Sequence, residues 1–163
     1  RLKSQAIPEG GWAELAENEE LTITNFRFED KNGSLAITLK NNILIADFSD
    51  ACSAGLAKKF AKSCKEIAHE FRDQNWAYLN RSDKYYAASP DAEAVLVEAY
   101  RYCKEHGCVA EAYCNKSAVG IAQIGRIRQT VGIDSALQDV CFETVEDAEL
   151  YLNKAINKTN QPA

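Results

Sequence analysis

No methionine occurs anywhere in the 163 residues, an initiator included. Two explanations follow: the natural start lies outside these residues, or modified residues were dropped from the written sequence. Repeats and low-complexity stretches are also missing, and the length fits one domain able to bury a core without covalent staples. Histidine is down to two positions, His69 and His106, so any imidazole general base must be one of them. No apolar run approaches the roughly 20 residues of a bilayer-crossing helix, and residues 1–11 lack the apolar stretch of a secretory signal. The expected setting is cytoplasmic. An excess of basic residues is absent too. A net charge of -5 argues against general nucleic-acid binding, which needs Lys and Arg to replace counterions on phosphate.

Six cysteines, at 52, 64, 103, 108, 114 and 141, are spaced too irregularly for a disulfide framework and read as free, largely buried thiols. The run Ala118-Val-Gly-Ile-Ala-Gln-Ile-Gly125 lacks both a Walker lysine and a G-x-G-x-x-G turn, so phosphate cradling is not expected there. Its small residues instead permit close approach of a helix to its neighbour.

What is present is an ordered series of elements. Residues 1–20 read as an N-terminal appendage, in which the acidic segment from Trp12 to Glu20 is predicted to make two helical turns with Trp12, Leu15 and Ala16 packed inward. Residues 21–29 form a strand, and Asp30-Lys-Asn-Gly33 a tight hairpin in which Asn-Gly supplies positive φ. Leu35, Ile37 and Leu39 then alternate with Ser34, Ala36 and Thr38, as on a sheet with one wet or partly covered face. After a turn at Asn41-Asn42, the apolar run Ile43-Leu-Ile-Ala46 reads as a central strand covered on both faces.

A helical period follows over 51–73, where Leu56, Phe60, Cys64, Ile67 and Phe71 make one stripe. Residues 76–79 are a short strand. Ser89-Pro90-Asp91 starts a helix with Ser as N-cap, Ala92, Val95, Leu96, Ala99 and Cys103 lie on its inner face, and Gly107 stops it. A strand over 108–114, a helix over 119–131 anchored by Ile121, Ile124 and Ile127, and a last strand at 140–142 complete the alternation. Thr144-Val-Glu-Asp147 resembles a capping box and opens a final helix through Val145, Ala148, Leu152 and Ile156. The expected layout is a single α/β domain over 21–157 with a polar tail at 158–163. Its sheet is mixed and mostly parallel, with about five to six strands and about four flanking helices, because strands joined by helices need crossover connections.

Six short segments taken in order, Gly33-Ser-Leu-Ala-Ile37, Ile43-Leu-Ile-Ala-Asp-Phe48, Asn75-Trp-Ala-Tyr-Leu79, Ser89-Pro-Asp-Ala-Glu93, Gly107-Cys-Val-Ala-Glu-Ala112 and Phe142-Glu-Thr-Val-Glu-Asp-Ala148, resemble the SpoIIAA-like, STAS-type domains of bacterial proteins. The likeness of layout and short apolar motifs spans residues 33 to 153. It implies a STAS/SpoIIAA-like fold in a cytoplasmic setting, with a binding or regulatory role and no enzymatic one. In anti-sigma-factor antagonists of this type a phosphorylatable Ser stands in an Asp-Ser-Ser-Gly-like run. The matching region here, Leu79-Asn-Arg-Ser-Asp-Lys84, lacks that run, so phosphoswitching through Ser82 is not carried over.

Candidate sites are few. On the first long helix Lys58, Lys62, Lys65, His69 and Arg72 recur at spacings of four and three, opposite the apolar stripe. They make a solvent-directed docking face for an acidic protein or for lipid head groups at a membrane surface, or simply a solvated helix face. Asp47, Arg81, Tyr85 and Tyr86 fall near strand C-terminal ends, where open α/β sheets bind ligands, and could line a small cleft. The bland alternative has Asp47 or Asp50 capping the first helix. Cys103, His106, Cys108 and Cys114 superficially suggest zinc, but the spacing is poor: Cys108 and Cys114 are expected on one strand face with Ala110 and Ala112, packed as small hydrophobes. No metal or cofactor is expected. The leading reading is a non-enzymatic STAS-like module that engages a protein partner or an apolar, lipid-like ligand. The alternative is a thiol-dependent enzyme or redox sensor using Cys108 or Cys114. A homodimer through a sheet edge or the appendage stays open.

Overall fold

The chain reverses at residues 30–33, and what closes that turn is a side chain. The Asp30 carboxylate accepts hydrogen bonds from the Asn32 and Gly33 amides at 2.8 and 3.0 Å, an Asx-type turn. Gly33 does not take the positive φ expected of it. It is required for another reason: a Cβ there would overlap the Ala51 carbonyl and stand 2.7 Å from that of Ser49.

This computed structural model describes residues 13–17 and 22–160. They comprise β1 (Ala13–Glu17), β2 (Thr22–Glu29), β3 (Gly33–Lys40), β4 (Ile43–Cys52), α1 (Ala54–Glu70), β5 (Trp76–Ser82), β6 (Tyr85–Ala88), α2 (Pro90–Glu105), β7 (Cys108–Asn115), α3 (Ala118–Val131), a 3-10 turn (Leu137–Val140) and α4 (Val145–Asn160). The sheet runs β1-β2-β3-β4-β5-β7, and β6 joins it by pairing with β4. The β1–β2, β2–β3 and β3–β4 ladders are antiparallel, whereas β4–β5, β4–β6 and β5–β7 are parallel. The mixed sheet and its four helices agree with the sequence reading, whereas among the described residues the sheet has seven strands, and its antiparallel ladders equal the parallel ones in number.

β4 is the pivot. Its first half, at Ile43 to Ala46, pairs with β5; its end, at Asp50 to Cys52, pairs with β6. The handover occurs at Asp50, whose φ is 61° and whose amide donates to the Lys84 carbonyl at 2.8 Å. The strand reading of 43–46 thus falls short by six residues, because the polar Asp47, Ser49 and Asp50, half-buried or exposed, break the apolar run. β6 was not foreseen.

Two apolar layers flank the sheet. On one face Leu35, Ile37, Leu44, Phe48, Trp76 and Tyr78 meet α1, α2 and α3 through Phe60, Ile67, Leu96 and Ile127. On the other, Ile43, Ile45, Ala77, Leu79, Ala112 and Cys114 meet Ala148, Leu152 and Ile156 of α4. Hence β3 alternates while the start of β4, buried on both faces, does not.

Several expectations need correction. Residues 13–17 form a strand antiparallel to β2 rather than helical turns; Trp12 lies outside the described residues. Residues 140–142 make only an isolated bridge, Cys141 to Tyr113, after the 3-10 turn. α4 continues to Asn160, so the tail predicted from 158 starts as helix. Neither Asp47 nor Asp50 caps α1. Ser53 does, its hydroxyl accepting from the Leu56 amide at 3.1 Å and donating to Asp30 at 2.6 Å. Ser89, Ser117 and Thr144 cap α2, α3 and α4 in the same manner.

Candidate functional site

Lys58, Lys62, Lys65 and His69 are exposed on α1, and Arg72 is exposed in the turn just after it. The first three are exposed, as the helical wheel implied, and also border a groove. They form one wall of this groove, of about 640 Å3 between α1 and α2, over a floor of small apolar residues that includes Ala61, Val95 and Ala99. The facing wall, from α2, carries Glu98, Arg101 and Glu105. Arg101 and Glu98 pair along the helix, and the Lys65 ammonium lies 5.6 Å from the centre of the Tyr102 ring. The groove therefore has a cationic wall and a wall with two carboxylates. His69 and Arg72 fall outside it, with Arg72 3.9 Å from Asp73.

The supposed cleft comes apart. Asp47 and Arg81 occupy positions of the β4 and β5 alternation that face the α4 layer. Burial pushes the Asp47 carboxyl up; the Arg81 charge counters this in part, Asp83 adds to it, and Arg27 opposes it weakly. Tyr85 lies on the opposite face, in edge contact with Phe48 at 5.9 Å and donating to Gln123 at 2.9 Å. Tyr86 is 72% exposed. Ser82 is fully buried, its hydroxyl accepting from the Phe48 amide at 3.0 Å; a kinase could reach it only by parting β4 from β5.

The thiols do not converge either. β7 carries a bulge at Val109: Trp76 pairs with Cys108, but Ala77 pairs with Ala110. The extra residue turns Cys108 to the α1–α2 face, while Ala110, Ala112 and Cys114 face α4. The expectation that Cys108 and Cys114 share a face thus fails by one residue. Cys108 donates to the Ala110 carbonyl and Cys114 to that of Thr144, both at 3.4 Å. Burial raises both thiols. Cys103 is held well above its ordinary range by its hydrogen bond with Cys64 and by burial, and Cys52 is pushed up to about 12 by burial. His106 stacks on Tyr102 at 3.8 Å and its Nδ1 lies 2.8 Å from the Tyr102 carbonyl, the helix-end role its position implied. Thiolate nucleophiles need electropositive, accessible surroundings, which these thiols lack.

Two buried polar side chains escaped the sequence reading. Gln123, only 5% exposed, uses its whole amide. Its Oε1 accepts from the Ala88 amide and Tyr85 hydroxyl, both at 2.9 Å, and its Nε2 donates to the Ala88 carbonyl at 3.0 Å and to Glu93 at 2.9 Å. It treats the end of β6 as a neighbouring strand would. Arg128 pairs with Glu111 and donates to the Ser135 carbonyl and hydroxyl at 2.8 and 2.7 Å. Gly120 lets α3 approach β6, since a Cβ there would stand 2.7 Å from the Tyr85 ring, as its small-residue run implied.

No protein-family profile matches the sequence, and no curated protein matches it. Among solved structures, the crystal structure of an anti-sigma factor antagonist from Mycobacterium paratuberculosis aligns with 77% of this chain and 97% of its own, with a TM-score of 0.50 and 9% identity. The fold is STAS-like. At that identity the likeness is one of architecture, which the quoted segments had indicated. Among the described residues of this STAS-like domain, no helix is long and apolar enough to cross a membrane, and no cluster of His, Cys, Asp and Glu could hold a metal ion.

Proposed function

We propose that this chain is a non-enzymatic regulatory module of the cytoplasm, acting by binding a protein partner through the groove between α1 and α2. The groove itself carries the reading. Its floor is made of small apolar side chains, its α1 wall presents Lys58, Lys62 and Lys65, and its α2 wall presents Glu105 and the Glu98–Arg101 pair. That arrangement suits an amphipathic helix lying between α1 and α2, small apolar residues downward, carboxylates toward α1 and a basic residue toward α2. Walls of opposite sign also fix the direction in which such a helix lies. An acidic membrane surface fits less well, because the two α2 carboxylates would face it beside the lysines. The solved structure of like fold is that of an anti-sigma factor antagonist, a protein that by its name acts on another protein. The raised thiols and the placement of both histidines favour binding over the thiol-enzyme alternative.

The test places a photo-crosslinking residue at Ala94, on the rim of the groove, in cells of the natural host. One dominant heterologous protein, crosslinked at low salt and lost in Lys58→Glu/Lys62→Glu, supports the proposal. A crosslink only to a second copy of this chain, no crosslink, or equal crosslinking in the charge-reversed variant overturns it. So does Lys62-dependent binding of purified protein to phosphatidylglycerol vesicles in the absence of any protein crosslink.

A further inference from the structure

The molecule also holds a concave site that no charge stripe or motif announced. A cavity of about 400 Å3 opens where the N-terminal half of β7, the end of α2 and the loop after α3 meet. Its lining includes the rings of Phe60, Tyr78 and Tyr100 and the side chains of Val109, Ile133 and Val140. This volume lies within the range of small-molecule sites, and the lining joins aromatic and aliphatic side chains to the polar Lys104, Glu111, Asp134 and Ser135. The register shift of β7 falls at this cavity, with Cys108 and Val109 both in its lining. Along this stretch, among the described residues, no further strand is paired to the outer side of β7; the Cys141 bridge comes only at Tyr113.

The charge at the walls restricts what can enter. Lys104 lines the cavity but its ammonium donates to the Gly132 carbonyl at 2.9 Å. Glu111 lines it and is paired with Arg128. Asp134 stands exposed at the rim. An anionic ligand therefore meets two carboxylates and one ammonium already engaged, and desolvating a charge without a partner is costly. The tyrosine hydroxyls are engaged as well. Tyr113 donates to Tyr100 at 3.2 Å, and Asn80 donates to Tyr78 at 3.2 Å. What Tyr78 and Tyr100 offer a guest is ring surface, which favours another ring in stacked or edge-on contact.

We propose that this cavity is a binding site for a small neutral aromatic molecule, seated against Phe60, Tyr78 and Tyr100 and separate from the α1–α2 groove. The probe is N-phenyl-1-naphthylamine, compared with 8-anilino-1-naphthalenesulfonate, which adds a sulfonate to a closely similar ring system. The neutral probe is expected to bind saturably, one per chain, and to shift the methyl resonances of Val109, Ile133 and Val140 in the wild-type protein. Its affinity falls about tenfold or more in Ile133→Trp and in Val109→Trp, each checked by circular dichroism for native folding, and is unchanged in Tyr86→Ala. If either tryptophan variant fails to fold, the other and the wild-type methyl shifts decide. No saturable binding, or methyl shifts elsewhere, overturns the site. Affinity of the folded tryptophan variants within about twofold of wild type overturns it equally. Equal or tighter binding of the sulfonated probe, or displacement of the neutral probe by oleate at lower concentration than by 1-naphthol, overturns the ligand class.

Discussion

Replacing Gln123 by Leu removes the amide that latches α3 to the end of β6, and the cost can be worked from its partners. The Ala88 amide and carbonyl each lose a hydrogen bond of 2.9 to 3.0 Å at a residue 9% exposed. A buried backbone group left unsatisfied costs about 1–3 kcal/mol, so the pair costs about 2–6 kcal/mol. Glu93 keeps Arg126, 2.8 Å away, and adds little, while the half-buried Tyr85 hydroxyl also loses its acceptor, which holds the loss at or above the middle of that range. The more apolar side chain recovers about 1 kcal/mol, for a net loss of about 3 kcal/mol. With a urea slope of about 2 kcal/mol per molar, the unfolding midpoint drops by about 1.5 M. Hydrogen exchange gives a second readout, because the Ala88 amide should lose protection more than amides in β3. Glu93→Gln is the control: it leaves both Ala88 bonds in place and should cost under about 1 kcal/mol. A loss below about 1 kcal/mol in Gln123→Leu, or Ala88 protection as in wild type, refutes the latch.

Arg128→Met should cost about 3–5 kcal/mol in the same assay, since it strands Glu111 in a partly buried position, whereas Arg128→Met with Glu111→Leu should recover much of that loss. Asp47→Asn should stabilise the protein at neutral pH and not at acid pH. A carboxyl whose folded pKa is raised by burial contributes stability that is present below its unfolded pKa and lost as pH rises through the folded one, so thermal midpoints at acid and neutral pH check the sign. Alkylation by iodoacetamide at neutral pH should be slow at all six cysteines, slowest at buried positions such as Cys52; one fast thiol, read by peptide mass spectrometry, would restore the case for thiol chemistry.

How much of this was legible depended on whether the signal was local. Ser89-Pro90 and Thr144 announce their helices because a cap is satisfied within a few residues. Leu35, Ile37 and Leu39 announce β3 because only one of its faces is covered. β4 was cut short where its polar residues begin, since they break the apolar run. β6, as Tyr-Tyr-Ala-Ala, has no alternation and exists by pairing with β4, which no window of sequence contains. Counting by two along β7 misplaced Cys108 because a bulge adds one residue and reverses parity. The lysines were read correctly as exposed, yet the groove they border belongs to two helices, and the aromatic cavity to residues from Phe60 to Tyr151. Gln123 looked like an ordinary polar residue in a small-residue run; its fourfold bonding is purely tertiary.

The one-residue bulge at Val109 makes the sheet a septum between two populations of sulfur. Cys64, Cys103 and Cys108 share one compartment and Cys114 the other, with a continuous β layer as the partition. Cys103 and Cys108 line the cavity, while Cys114 lies on the other side of β7 with its thiol on the Thr144 carbonyl. Crosslinking across that wall would require the sheet itself to open, so any disulfide joining Cys108 to Cys114 would report an unfolded chain.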